Sequence, residues 1–403
     1  MEEKLKEFNQ THLLNYINEL TKEEREKFLK DLETIPFFKM KKLYQKSYEK
    51  TNIITEEIKP IKYFAKTKIN KKQLETLGLS YIKNYALITL AGGSGTRLGH
   101  HAPKGTYELE INNTKISIFG LIAKQLNEIA NNYKVNIPWY ILTSKDNEEE
   151  TKSFFTKQNF FNYPKEKITF FSQKSLPILD IHGNILLKNK KEILKGSNGN
   201  GEVFKALKYH NILTKMKNQN IKYIQICNID NILCKAFDPI FVGLMKQNNF
   251  QIGSKTFIKD NDNEKEYVFC KYQNKPILLP YKIVYEKIKQ NTEMSLSILD
   301  TFSGISIFTI EALEKLQNMK LPYHRAYKAY NYIDINGSQI DSKEKNAFKF
   351  EKYIFDAFFE FEDMLLYRVD KQTEFAPIKN KTGENSPETA IKQFEQLTKK
   401  DSY

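Results

Sequence analysis

Cysteine is nearly missing from this chain: Cys227, Cys234 and Cys270 are the three among 403 residues. They form no CxxC pair, and the six histidines lack metal-ligand spacing, which argues against a zinc site. So little cysteine suits a reducing compartment. Long apolar runs are missing as well. No stretch approaches the ~18–20 residues of a membrane span, and the N-terminal MEEKLKEFNQ is charged where a secretory signal would be apolar. The expectation is a soluble cytoplasmic protein with no membrane partner. An arginine-rich stripe is the third absence. The formal charge of +14, from 63 Lys+Arg against 49 Asp+Glu, is carried mostly by lysines dispersed among Asn, Ile and acidic residues. Such an excess admits a nucleic-acid or membrane partner; the dispersal supports a solvated surface at least equally.

What is present is enough apolar material for a large core. Hydrophobic residues make up 40% and aromatic residues 13%, which excludes a disordered chain, and the length implies two or three domains. Leu5, Phe8, Leu13, Leu14 and Ile17 recur near helical spacing. Thr21 with Glu24 makes a capping box before Phe28, Leu29 and Leu32. Two helices are therefore expected in the first forty residues, the second ending at Ile35-Pro36. The lysine-rich stretch from Lys39 to about Lys72 reads as a lead-in that wraps the main domain. From Tyr85 onward, short apolar runs alternate with amphipathic stretches. Tyr85–Leu90, Trp139–Thr143, Ile168–Phe171 and Tyr223–Cys227 read as strands; Ile116–Ile129 and Glu202–Leu213 read as helices. Nearly all-apolar strands alternating with helices signal an α/β fold whose mixed, mostly parallel central sheet is covered on both faces. The expected division is a helical N-terminal arm over 1–80, a large domain over 81–370 and a short C-terminal segment over 371–403.

The most informative stretch is LAGGSGTRLGHHAPKGTY, Leu90–Tyr107, where a buried strand runs into Gly92, Gly93 and Gly95, then Arg97 and Lys104. Glycines at the carboxyl end of a parallel strand let backbone N–H groups approach phosphate oxygens, with Arg and Lys supplying charge. Two common phosphate loops fail in detail. GxGxxG needs glycine where Leu98 stands, and GxxxxGK[ST] finds no Gly-Lys pair.

The loop instead resembles the nucleotidyltransferase signature LAGGxGTRLG…PKG of the sugar-nucleotide pyrophosphorylases. Its PKGxY variant, with the following IPWYILTS strand, resembles the eukaryotic-type UDP-N-acetylglucosamine pyrophosphorylases; the glucose-1-phosphate relatives usually read PKS there. Further blocks are similar in order: FFSQKSLPILDIHGNILL (170–187), GSNGNGEVFKAL (196–207), YIQICNIDNILCKAFDP (223–239), LPYHRAYKAYNYID (321–334), FKFEKYIFD (348–356) and EFAPIKN (374–380). The resemblance implies a Rossmann-like nucleotidyltransferase domain. It also implies a Mg²⁺-dependent reaction of UTP with N-acetylglucosamine 1-phosphate, giving UDP-N-acetylglucosamine and pyrophosphate. Attack on the α-phosphorus in line with the leaving group needs positioning and charge neutralisation and no covalent nucleophile.

Carried over residue by residue, the resemblance assigns Gly92, Gly93 and Gly95 to the uridine and triphosphate. Arg97 goes to the leaving pyrophosphate, Lys104 to the α-phosphate and Lys379 to the sugar-linked phosphate. Gln173 and Gly199 are placed at the uracil, Asn200 at the sugar and Asp230 on Mg²⁺. Lys328 and Lys349 are candidate further phosphate neighbours, and His100 and His101 receive no task. The sugar side departs from the family pattern. Tyr267 stands near a usual glycine, Pro280 at an expected glutamate, Thr301 in place of an asparagine, and Glu202 after Gly201 where glycine is usual. Three readings follow: the uridylyltransferase above with its small-molecule substrates and no nucleic acid; the same chemistry on glucose 1-phosphate or another hexose 1-phosphate; and a non-catalytic UDP-sugar binder.

Overall fold

The computed structural model describes residues 1–46, 57–65, 68–258, 267–290 and 300–400, so part of the expected lysine-rich lead-in lies outside the described residues. The chain forms two compact units. One is Met1–Ile53 with Lys174–Glu202 and Leu321–Tyr353; the other is Ile54–Gln173 with Val203–Lys320 and Ile354–Tyr403. This differs from the sequence-based division, which assigned 174–202 and 321–353 to the domain spanning 81–370.

The larger unit holds a ten-stranded sheet. Its strands are β1 (Phe64–Ala65), β2 (Tyr85–Leu90), β3 (Trp139–Ser144), β4 (Ile168–Gln173), β5 (Tyr223–Asn228), β6 (Ile252–Ile258), β7 (Tyr267–Tyr272), β8 (Lys275–Pro280), β9 (Asp300–Thr309) and β10 (Leu365–Arg368). The order is β1-β10-β6-β9-β5-β2-β3-β4, with β7 and β8 as a hairpin attached to β9. Only β9 runs against its neighbours on that path; every other neighbouring pair is parallel. All six residues of β2 and of β3 are buried, as a strand covered on both faces requires. On one face Trp139 packs edge-on to Phe119 and against Phe155, with ring centroids 6.2 and 5.4 Å away. Each such aromatic pair contributes about 0.5–1.5 kcal/mol beyond area burial. The indole N–H donates to Thr89 Oγ1 at 2.9 Å, so the largest core side chain leaves no polar atom unpaired.

Helices Lys71–Leu79 and Pro239–Gln247 cross at close range because a glycine stands at each contact. A Cβ on Gly78 would lie 1.7 Å from the Pro239 carbonyl oxygen, and one on Gly243 2.1 Å from that of Leu74. Beneath the second helix sits a buried charge network. Lys255 on β6 is 1% exposed, and its Nζ lies 2.6 Å from Asp238 and 2.8 Å from Glu374. Asp238 also accepts from the Ile240 and Phe241 N–H groups and so caps the helix it precedes.

In the smaller unit the Thr21–Glu24 capping box forms as the sequence implies, and helix Lys22–Glu33 buries Phe28 and Leu32. The first expected helix is shorter. It spans Glu2–Glu7 and stops where Asn9 takes a left-handed φ of 54°, after which single 3₁₀ turns carry Leu13. Similarly, Asn211 at φ 53° splits the expected Glu202–Leu213 helix of the larger unit into Val203–Tyr209 and Ile212–Asn218. A helix at Phe37–Lys46 was not anticipated; its lysines hid the buried Phe37 and Met40. These helices bury Leu5, Phe28, Leu32 and Met40 on Leu176, Leu187, Ile333 and Phe350. That shared core is the physical reason the division differs: segments distant in sequence supply the apolar partners that the N-terminal helices need.

The charge network makes a pH-dependent prediction. Burial raises the carboxyl pKa values of Asp238 and Glu374, but the Lys255 and Lys235 cations with their hydrogen bonds together hold both below the ordinary range. Their contribution to stability is therefore complete above the ordinary carboxylate range and is lost as pH falls through the depressed values. Lys255→Met leaves the buried Asp238 without its paired cation and Glu374 with Lys235 alone. It should cost about 3–5 kcal/mol at neutral pH, with the deficit shrinking toward pH 4 as the acids protonate. Denaturant midpoints at several pH values check this; a pH-independent deficit would contradict it.

Candidate active site

Strands β5, β2, β3 and β4 are consecutive and parallel, so their carboxyl ends share one edge of the sheet. Ligands of open α/β sheets bind at such an edge. The loop after β2 carries Gly92, Gly93, Gly95 and Arg97. Gln173 is the last residue of β4, and Asp230 follows β5 by two residues.

The loop's shape follows from its own bonds. Ala91 N–H donates to the Leu142 carbonyl on β3, Gly95 N–H to Ala102, and Lys104 N–H to Gly93, so the chain doubles back and brings Lys104 beneath the glycines. Gly99, at φ 73°, ends the 3₁₀ turn that presents Arg97. A Cβ on Gly92 would stand 2.3 Å from Gln173 Nε2, and one on Gly95 2.8 Å from His100 Cβ. A Cβ on Gly93 would meet no atom of the described residues within 4 Å, so that side of its backbone is open. Two residues that sequence reasoning passed over brace the loop. Asn147 donates to the Ala91 carbonyl at 2.9 Å and accepts from Ser144 N–H. His100 pairs with Thr106 Oγ1 at 2.8 Å and packs edge-on to Tyr107. An asparagine three residues past a strand gave no signal; a histidine inside the motif could have been read as a brace.

Four charged residues meet at this edge. Lys104 Nζ lies 3.7 Å from Asp230 Oδ2, and both side chains are about five-sixths buried, at 15% and 17% exposure. Burial pushes the Lys104 pKa down; Asp230 opposes this, and the nearby Lys379 and Arg97 cations reinforce it. Three cations around one carboxylate leave a surplus of two positive charges, an environment for a polyanion. Lys379 reaches the cluster because Ile378 N–H donates to the Asp230 carbonyl at 2.8 Å, stitching the 374–379 segment to the β5 loop. Beside the cluster Gln173 is 5% exposed, and its Oε1 has no hydrogen-bond partner among the described residues. A buried acceptor of this kind awaits a donor.

Gly199 and Asn200 belong to the other compact unit. Gly199, at φ 84°, lies against the Lys352 backbone, where a Cβ would be 2.4 Å from the Lys352 carbonyl oxygen. Lys352 clamps this turn three ways. Its N–H donates to Asn198, its carbonyl accepts from Gly201 N–H, and its Nζ pairs with the buried Glu202 at 2.6 Å. Glu202, the residue departing from the family pattern, thus serves as the counter-ion of a buried lysine. Lys328 and Lys349, the candidate further phosphate neighbours, each pair with a carboxylate oxygen of Glu351 at 2.8 Å.

No group of three or more His, Cys, Asp or Glu forms a metal cage among the described residues. Asp230 alone offers a hard oxygen beside the cationic cluster. One carboxylate completed by substrate phosphates and water is a donor set that fits a hard cation such as Mg²⁺. No described helix is long and apolar enough to cross a membrane.

A sheet edge with a glycine-rich loop, clustered cations and a lone carboxylate defines a nucleotidyltransferase. A family model described as UTP--glucose-1-phosphate uridylyltransferase matches residues 35–383, and the chain belongs to that family. It is 29% identical to the UDP-N-acetylglucosamine pyrophosphorylase of Saccharomyces cerevisiae, over 96% of this chain and 84% of the relative. The solved structure of the uridine diphosphate N-acetylglucosamine pyrophosphorylase of Trypanosoma brucei, in complex with an inhibitor, superposes with a TM-score of 0.79 at 25% identity. That match covers 97% of this chain and 83% of the other. The UDP-glucose phosphorylase of Trypanosoma brucei, at 17% identity and a TM-score of 0.67, covers 85% of this chain and 72% of its own and shares the fold.

Because Asp230 supports the charge on Lys104, Asp230→Asn should lower the Lys104 pKa further. Acylation of Lys104, followed by mass spectrometry across pH, should then begin at lower pH than in the unaltered protein; an unchanged profile would show that the 3.7 Å pair is not maintained in solution.

Proposed function

We infer that the chain transfers a uridylyl group from UTP to N-acetylglucosamine 1-phosphate, releasing pyrophosphate. The observation that carries this reading is the convergence of Arg97, Lys104 and Lys379 on Asp230 at the sheet edge, beside the unpaired Gln173 acceptor. The acetamido sugar is supported by the names of the relatives with high coverage. In this reading an oxygen of the sugar phosphate attacks the α-phosphorus as the bond to pyrophosphate breaks, with no covalent intermediate.

Each residue then has a physical task. Lys104, about five-sixths buried and partly desolvated, neutralises the α-phosphate. Arg97, exposed on its 3₁₀ turn, presents a planar fork to the departing pyrophosphate. Lys379 meets the incoming sugar phosphate. Gly92, Gly93 and Gly95 let the nucleotide lie against the backbone, and Gln173 Oε1 accepts the imide N–H of uracil. Mg²⁺ held by Asp230 would neutralise charge on the phosphates. The substrates are small anions, so the surplus of lysine requires no nucleic-acid partner. Three buried free thiols support a reducing, cytoplasmic setting.

One observation favours a second acceptor. Three of the four positions that depart from the family's sugar side, Tyr267, Pro280 and Thr301, are neighbours in the larger unit. Tyr267 pairs with Pro280 across the β7–β8 hairpin, and Thr301 Oγ1 donates to the Tyr267 carbonyl at 2.9 Å. Changes gathered in one place alter a pocket together, which keeps glucose 1-phosphate or another hexose 1-phosphate as the alternative. Pyrophosphate release from UTP with a panel of sugar 1-phosphates should be highest with N-acetylglucosamine 1-phosphate; turnover of glucose 1-phosphate alone would reassign the acceptor. With the best acceptor, Arg97→Ala and Lys379→Ala should each lower kcat by about 100-fold or more, and rates near those of the unaltered enzyme would overturn the mechanism.

A further inference from the structure

We propose that Asn231 is the positioning residue that holds Asp230 and Lys379 at their working separation, anchored through Glu374 to the buried Lys255. The inference rests on the reading that Asp230 and Lys379 flank the transferred phosphate. Asn231 is 5% exposed and uses both ends of its amide across a chain separation of more than 140 residues. Its Nδ2 donates to the Glu374 carbonyl at 2.8 Å, and its Oδ1 accepts from Ala376 N–H at 2.9 Å and from Leu233 N–H at 3.2 Å. Ile232 N–H donates to the Ala376 carbonyl at 3.2 Å, and Ile378 N–H to that of Asp230 at 2.8 Å. The β5 loop and the 374–379 segment are thereby laced together like two short strands, with Asp230 on one and Lys379 on the other.

The lacing needs a fixed point, because Lys379 itself is exposed and its segment contains no long element: helix Lys371–Glu374 has a single turn. Glu374 is that point. It is 1% exposed, its Oε2 lies 2.8 Å from Lys255 Nζ on the central strand β6, and its Oε1 lies 2.9 Å from Lys235. Lys255 also holds Asp238, which follows Asp230 on the same loop. One buried ammonium on the rigid sheet therefore grips both segments, and Asn231 sets their register. Neither Asn231 nor Glu374 points its charge or amide at a substrate; each acts through the residue beside it. A displacement of about 1 Å of a catalytic group costs up to ~100-fold in rate, so small slips of this lacing matter.

The test is a double-mutant cycle on the full chain with UTP and its best sugar 1-phosphate. Asn231→Ala is expected to lower kcat about 10–100-fold while the KM for UTP stays within about threefold. On a Lys379→Ala background the same change should cost less than about threefold, because the Asp230–Lys379 separation it sets no longer exists. A kcat loss undiminished on that background, or none on either, would overturn the proposal; a KM effect alone would do so too. Lys379→Ala alone separates the two claims, since a near-normal rate there refutes the catalytic reading itself. Should Asn231→Ala fail to fold, Asn231→Asp, which keeps both accepted bonds and loses the donated one, enters the same cycle and must show the same non-additivity.

Discussion

The arrangement depends on a single buried ammonium. Lys255 sits on β6 with 1% of its side chain exposed, gripped by Asp238 and Glu374. Desolvating three charges costs several kcal/mol per ion, and only close pairing with satisfied hydrogen bonds repays it. Here the remaining acceptor capacity is filled: Asp238 takes two N–H groups of the helix it caps, and Glu374 takes Lys235 at its open side. An apolar trio of similar volume could pack as tightly. What it could not do is fix the directions of two loops that approach from residues 230–238 and 370–379.

From that anchor outward, the molecule sorts its many lysines into two kinds. Some are committed to carboxylates inside the fold: Lys255 to Asp238 and Glu374, Lys352 to Glu202, Lys328 and Lys349 to Glu351. At the sheet edge the balance reverses, and Arg97, Lys104 and Lys379 share one Asp230. Burial is the main reason the Lys104 pKa is lowered, and the neighbouring Lys379 and Arg97 cations add to it against the pull of Asp230. A site whose charges repel one another until anions arrive binds polyphosphate with more than pairwise gain.

The glycines divide in the same manner between packing and ligand access. Gly78 and Gly243 permit one helix crossing, and Gly92 and Gly95 make room for Gln173 and His100. Within the loop, Gly93 has open space where a Cβ would stand, which suits a backbone that receives a nucleotide. The motif LAGGSGTRLG thus encodes a loop folded against its neighbours as much as a ligand cradle. Its bracing by Asn147 explains why the strand after it, β3, also ends at the site.

Much of this was legible in the residues. Local pattern determined the buried strands β2 to β5, the Thr21–Glu24 box and the glycine-rich loop, because period, capping and turn chemistry act over a few neighbours. Resemblance across ordered blocks pointed to Arg97, Lys104, Asp230 and Lys379, which the fold brings to one edge of one unit. Left-handed asparagines at 9 and 211 were invisible, since asparagine tolerates that conformation without requiring it. Invisible too were the partners of each charge and the composition of the smaller unit. Lys255, Lys328 and Lys352 look alike in the sequence; each was assigned its task by carboxylates that chain folding brought from 17, 23 and 150 residues away. The sequence by itself determined the sheet, the loop and the chemistry that a lysine or carboxylate can perform. Tertiary structure alone decided which of those charges is spent on the fold and which is left for substrate, because pairing depends on distance in space and desolvation on depth.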